Sequence, residues 1–296
     1  MSSRFKAHCA LMACSFFWGI TFVVVKNALE DISVFAYLSA RFMLGALPMI
    51  WIYRDDLRNL TRDEAWAGAQ LGLFMAAGYA FQTAGIARTT PSKAAFITGL
   101  SVVLVPIFLA VFWRRKIGAW AWGGAAGSFA GLYFLTVPAE GFSRLNHGDM
   151  LVMGCAVLYA LQIIYIARFT GKYSLGALSC LQVILTGVIA TLAVPVLNFT
   201  GLEHFFVRFT PQMEFGVIVT ATFTTALAYP MLVWGQTHTT PTNTALILTS
   251  EPVFAAITSF VLLHERLGGR ALAGATLILG GIALAEWKGT VPSAGS

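Results

Sequence analysis

The stretch "TSEPVF" at residues 249 to 254 sets an acid, Glu251, directly before a helix breaker, Pro252, within about twenty apolar residues. An isolated ionised carboxylate is very costly to bury, so Glu251 needs a partner, a proton or a wet cavity. A second charge, Arg41, lies inside the apolar run "AYLSARFML". At the centre of a membrane helix each such charge costs roughly 2.5 to 3.5 kcal/mol, which favours positions that face a partner or water. Glu251 therefore reads as a hydrogen-bonded residue serving the backbone beside Pro252, or as a substrate-ammonium or proton site. Arg41 reads as an anchor to backbone carbonyls or headgroups, or as a cavity residue.

Three aromatic residues each carry a polar partner three positions on, and so on the same helical face: Trp18 with Thr21, Tyr79 with Gln82, and Tyr159 with Gln162. Such rings suit an apolar or aromatic side chain better than water does, with contacts of about 0.5 to 1.5 kcal/mol each beyond burial. With Tyr229 as a fourth ring, and with Thr98, Ser101 and Glu251 as further polar groups, these residues form the expected substrate-binding set. The alternative is plain packing. Pro106, Pro230 and Pro252 fall inside apolar segments and predict kinks or hinges, because proline removes a helical hydrogen bond. Gly123, Gly127 and Gly131, with Gly274, Gly280 and Gly281, read as small stripes for close helix packing.

Catalytic patterns are missing. There is no HExxH, no nucleophile elbow and no aspartate-rich motif, and the five histidines are scattered. The four cysteines sit in apolar segments and read as packing residues. The sequence thus predicts a non-enzyme that uses neither a metal nor a cofactor.

The elements that must position these groups are membrane helices. Of 296 residues, 57% are hydrophobic and 11% charged, and the mean hydropathy is +0.75, beyond what a soluble domain of this size needs. Apolar runs long enough to cross about 30 Å of hydrocarbon occur at 7 to 25, 33 to 53, 66 to 87, 92 to 113, 118 to 136, 149 to 167, 174 to 197, 214 to 235, 242 to 263 and 270 to 287. Short loops join them. The basic residues show no concentrated patch for nucleic acid. Counted from a cytoplasmic N-terminus, eleven of the 19 Lys and Arg fall on the inside, a bias that predicts both termini in the cytoplasm.

The chain also repeats. Shifting it by 150 residues aligns "TTP" at 89 to 91 with "TTP" at 239 to 241, Tyr79 with Tyr229, Ser101 with Glu251 and Gly131 with Gly281. Over residues 76 to 131 this shift gives about 16 identities. A shift of 141 overlays the first segment on the sixth, pairing Trp18 with Tyr159 and Thr21 with Gln162. The expected units are residues 1–137 and 138–296, five helices each. Because five is odd, the second enters the membrane from the opposite side. Inverted repeats around a midplane site characterise secondary transporters that work by alternating access. A channel or a membrane enzyme fits this organisation less well.

"FFWGITFVV", Arg41, the two "TTP" turns, Pro106, "SEPVFAAITSFVLLHER" and the paired glycines of the last segment together resemble the EamA branch of the drug/metabolite transporter superfamily. The likeness covers the whole chain and is nearest to the YddG-type exporters of aromatic amino acids. One departure is that the fourth segment ends in "WRRK" where the ninth has "LHER", so only the second unit carries that glutamate, Glu265. The resemblance implies an all-α integral membrane protein, ten transmembrane helices around a central cavity, without a covalent cofactor. It implies export of aromatic and other neutral amino acids across a bacterial inner membrane, with a broad-specificity drug or metabolite exporter as the alternative. Its expected partners are the small-molecule substrate and the lipid bilayer. Monomer and homodimer both remain open.

Overall fold

The computed structural model describes residues 2–138, 140–141, 144–263 and 268–288, so Glu265 lies outside the described residues. In order, the helices are α1 (Ser3–Gly19), α2 (Thr21–Ala28), α3 (Val34–Ile52), α4 (Arg54–Arg58), α5 (Arg62–Arg88), α6 (Pro91–Gly99), α7 (Ser101–Val111) and α8 (Ala119–Thr136). They continue as α9 (His147–Phe169), α10 (Leu175–Phe199), α11 (Pro211–Val219), a π-helical stretch (Thr220–Leu227), α12 (Ala228–Gln236), α13 (Pro241–Leu248), α14 (Glu251–Leu263) and α15 (Gly269–Lys288). No strand occurs among the described residues. All ten apolar segments of the sequence are helical, several of them as two helices joined at a break. Among the described residues, seven spans are long and apolar enough to cross a bilayer: Ser3–Ala28, Val34–Ile52, Pro91–Val111, His147–Phe169, Leu175–Phe199, Pro211–Gln236 and Gly269–Glu286. The chain is an integral membrane protein.

Local chemistry sets the helix starts. In both "TTP" turns the second threonine is the N-cap and the proline follows at the first helical position: Thr90 accepts from the Lys93 amide, and Thr240 from the Asn243 amide. Proline fits there because that N–H would have no helical partner. Thr61 with Glu64, and Asn146 with Asp149, form reciprocal capping boxes for α5 and α9.

The breaks fall at Ile20, at Leu100, and at Thr249 and Ser250. Pro252 is only the second residue of α14, so the helix ends before the proline, where its missing N–H costs little. Pro106 lies inside α7, and the break in that span comes earlier, at Leu100. Pro230 follows the π-helical stretch, whose wider winding absorbs the hydrogen bond that proline cannot make.

The helices α8 and α15 meet along a glycine seam. A Cβ on Gly131 would lie 2.6 Å from the Gly274 carbonyl oxygen, and one on Gly124 would lie 2.7 Å from that of Gly281. Of the expected stripes, Gly131, Gly274 and Gly281 lie in this seam. Gly124 and Gly131 make the contact, whereas Gly123, Gly127 and Gly280 meet nothing closer than 3.6 Å. Three cysteines are buried, as expected for packing residues, and Cys9 is exposed.

Polar ties fasten the ends of the bundle. The Lys26 ammonium donates to the carbonyls of Ile86, Ala87 and Thr89 at 2.8, 3.0 and 3.2 Å, capping the C-terminus of α5. The Lys93 ammonium lies 3.0 Å from an Asp149 carboxylate oxygen, with the side chains only 5% and 0% exposed, and the Thr89 hydroxyl donates to the other oxygen. At the opposite end Arg4 reaches Glu286 at 2.7 Å, and the Asn243 amide donates to the same carboxylate at 2.7 Å.

Two predictions follow from this packing. Gly131→Ala and Gly274→Ala overpack the seam and lower stability by about 1 to 3 kcal/mol, whereas Gly280→Ala stays within about 0.5 kcal/mol of wild type; melting of detergent-solubilised protein by tryptophan fluorescence reads both. Lys93→Met leaves a buried carboxylate without its cation and costs roughly 3 to 5 kcal/mol. In a double-mutant cycle, combining it with Asp149→Asn costs less than the sum of the single changes, and strict additivity would show the pair to be uncoupled.

Candidate functional site: a central cavity with two charges

The breaks in the helices converge on one cavity of about 90 Å³. Trp18 and Thr21 flank the break between α1 and α2; Thr98 and Ser101 flank that between α6 and α7; Glu251 opens α14. Tyr79 and Gln82 of α5, Tyr159 and Gln162 of α9, and Tyr229 of α12 complete the polar and aromatic wall. All ten residues of the expected set line this cavity. So does Arg41.

The rings form one connected group. The Trp18 ring lies 5.8 Å from that of Tyr229, and Tyr79 sits edge-on to Tyr159 at 5.5 Å and to Phe42 at 4.9 Å, the offset geometries that aromatic quadrupoles favour. The Tyr229 hydroxyl donates to the Tyr79 hydroxyl at 3.0 Å. The two residues paired by the shift of 150 thus touch each other. The Tyr159 hydroxyl donates to Gln82 at 3.1 Å, and the Gln82 amide to the Thr98 hydroxyl at 3.3 Å. Two of the polar groups are already engaged with protein: Thr21 donates to the Trp18 carbonyl at 2.8 Å, and the Gln162 amide donates to Gln182 at 2.8 Å.

Arg41 is 4% exposed and has no carboxylate partner among the described residues. Its Nε donates to the Thr225 hydroxyl at 3.1 Å, and its Nη2 to Thr224 at 2.8 Å and to Tyr79 at 3.2 Å. The guanidinium carbon lies 4.6 Å from the centre of the Tyr79 ring and 5.0 Å from that of Phe42. Arg41 is therefore held by hydroxyls and ring faces, not by the carbonyls or headgroups that the anchor reading expected. These contacts use Nε and Nη2. The Tyr37 side chain also lies beside the guanidinium.

The π-helical stretch "TATFTTAL" supplies this cradle. Thr224 gives its hydroxyl to Arg41, its carbonyl to the Trp18 indole at 3.0 Å, and its own proton to the Thr220 carbonyl at 2.7 Å. Thr220 in turn accepts from the Tyr37 hydroxyl at 2.9 Å. Sequence reasoning missed Thr220, Thr224, Thr225 and Gln182. The signal for the first three was four threonines within six residues, shortly before Pro230.

Glu251 stands in the first turn of α14, where the partial positive charge of the helix start favours a carboxylate. It is partly buried and lines the cavity, and no hydrogen bond or ion pair engages its carboxylate among the described residues. Gly19 permits this placement, because a Cβ there would collide with the Glu251 carbonyl oxygen.

Comparison with known proteins agrees with this architecture. The chain is 32% identical over 281 residues to an uncharacterized transporter of Archaeoglobus fulgidus, covering 93% of this chain and 84% of that one. It is 22% identical over 279 residues to the uncharacterized transporter YvbV of Bacillus subtilis, covering 92% and 88%. A protein crystal structure superposes with a TM-score of 0.78 at 16% identity over 97% of this chain and 99% of that one, a likeness of fold alone. The EamA-like transporter family is matched twice, by residues 5–137 and by residues 146–287. The chain belongs to the EamA-like transporter family.

Proposed function

We propose that this transporter exports aromatic and other neutral amino acids across the inner membrane of the cell by alternating access between two inverted five-helix units, residues 1–137 and 138–296. The observation that carries the substrate class is the cavity wall, where four connected rings share one space with Glu251, whose carboxylate has no protein partner among the described residues. An amino acid reaching the midplane must exchange its hydration for fixed polar groups. Gln82, Thr98, Ser101 and Glu251 offer these, and the rings of Trp18, Tyr79, Tyr159 and Tyr229 receive the side chain.

The inverted arrangement draws support from reciprocal contacts. Gly124 packs on Gly281 while Gly131 packs on Gly274, and the shift of 150 pairs Gly124 with Gly274 and Gly131 with Gly281. A two-fold relation requires this crosswise pattern, as residue i of one unit meets residue j of the other and the reverse also holds. The bond between Tyr79 and Tyr229 fits an axis passing through the cavity. Ten crossings with both termini inside agree with the placement of the arginines and lysines.

Counterflow in proteoliposomes tests the substrate class. Labelled phenylalanine and threonine exchange above protein-free vesicles, and Trp18→Ala and Tyr79→Ala weaken apparent affinity for phenylalanine by about 2- to 12-fold, the loss expected for one aromatic contact. Exchange of a bulky organic cation with neither amino acid would establish the drug-exporter reading instead. Orientation has its own test. In a cysteine-free background, Arg115→Cys reacts with an impermeant maleimide only after cells are opened, and labelling from outside intact cells would invert the topology.

A further inference from the structure

Of the residues lining the cavity, Arg41 is the basic one and Glu251 the acidic one. Neither has a partner of opposite charge among the described residues. Guanidinium stays protonated throughout the physiological range, and the hydroxyls that hold it are neutral. An unmatched charge in a low-dielectric site is expensive, and the expense falls on whichever ligand leaves it unmatched. A monocation can satisfy Glu251 but faces the field of Arg41. A monoanion meets the reverse problem. A molecule with one charge of each sign satisfies both.

The two charges also break the internal repeat. The shift of 141 aligns Arg41 with Gln182, each eight residues after the N-cap serine of its helix, Ser33 of α3 and Ser174 of α10. Gln182 is neutral and occupied by the Gln162 amide. The shift of 150 aligns Glu251 with Ser101. Each sequence unit thus contributes one charge, and the matching place in the other unit is uncharged. The cavity acquires a fixed polarity from residues carried on separate units.

We propose that Arg41 and Glu251 form one zwitterion site, in which Arg41 takes the substrate's carboxylate and Glu251 its ammonium. This rests on the amino-acid reading of the same cavity and adds that both charged ends are required for transport. The rings of Tyr79, Tyr229 and Trp18 line the same cavity, linked by the contacts already described, and receive the side chain. Because the two charges belong to different units, a zwitterion of fixed length satisfies both only at one separation of those units. Binding is thereby tied to the conformation that closes around it.

The experiment is a panel of competitors against counterflow of labelled phenylalanine: phenylalanine itself, phenethylamine, which lacks the carboxylate, and 3-phenylpropionate, which lacks the ammonium. The expected result for wild type is that each analogue competes on the order of tenfold to a hundredfold more weakly, the loss of one charge-assisted hydrogen bond. Glu251→Gln should weaken phenylalanine exchange and narrow the gap between phenylalanine and 3-phenylpropionate. Arg41→Lys, which keeps the charge without the planar fork, should weaken phenylalanine and narrow the gap to phenethylamine. The wild-type panel does not depend on any variant folding. Phenethylamine exchanging as well as phenylalanine would overturn the role of Arg41 while leaving amino-acid transport standing. Unaltered exchange and selectivity in Glu251→Gln would overturn the role of Glu251. Absence of phenylalanine exchange altogether would bring down both the site and the reading on which it rests.

Discussion

The buried guanidinium of Arg41 is the constraint to which much of the central architecture answers. A permanent cation at 4% exposure must recover its lost hydration from fixed groups. Here they are hydroxyls and ring faces, not a carboxylate. Hydrogen bonds to a charged group contribute about 1.5 to 3 kcal/mol each. Three of them, with cation–π contacts, are therefore comparable to the roughly 2.5 to 3.5 kcal/mol cost of placing the charge at a membrane helix centre. Thr224 and Thr225 are neighbours in sequence yet both reach the same side chain. A regular α-helix turns successive residues about 100° apart; the wider π-helical winding and the breadth of the guanidinium fork bring both hydroxyls within range.

The same reasoning links the helix breaks to the cavity. Backbone groups released at Ile20, Leu100 and Thr249 cannot face lipid, because hydrocarbon offers no hydrogen bonds. The amides of Ile20, Leu100 and Thr249 bond back to the preceding turn, and residues flanking each break line the same space. Where the backbone opens, short helices begin, and Glu251 occupies the start of one of them. The glycine seam of α8 and α15 plays the opposite part. Its backbones touch without intervening side chains, so that pair forms a close-packed wall while the polar, broken helices surround the cavity.

Much of this was legible in the sequence, because the relevant signals are strong and local. Twenty-residue apolar runs fix the helices, the "TTP" turns fix two helix starts through a cap and a proline, and aromatic-polar pairs at a spacing of three place both partners on one face. All ten residues chosen on those grounds line one cavity. What remained hidden is what depends on partners distant in the chain. Nothing in "AYLSARFML" says that Arg41 meets Thr224 and Thr225, more than 180 residues away. The glycine stripe was read in part only, since Gly123 and Gly127 share a regular spacing with Gly131 yet stand away from the seam, while Gly124 lies in it. Only the approach of α15 distinguishes them. The Lys93–Asp149 pair escaped notice because each residue sits near a segment end, where a charge reads as solvated.

Repetition and its exceptions then acquire a common meaning. The contacts that obey the repeat, Tyr79 with Tyr229 and the crossed glycines, lie where the two units meet and where equal surfaces pack well. Arg41 and Glu251, which depart from it against Gln182 and Ser101, both line the cavity. A two-fold cavity would present the same chemistry at both ends and could not distinguish the head of an asymmetric molecule from its tail. Replacing one member of each symmetric pair by a charge gives the cavity a direction without disturbing the surfaces on which the units pack. In the proposed alternating-access cycle, exchange of conformations between two similar units coexists with a single binding orientation, because the packing obeys the repeat and Arg41 and Glu251 do not.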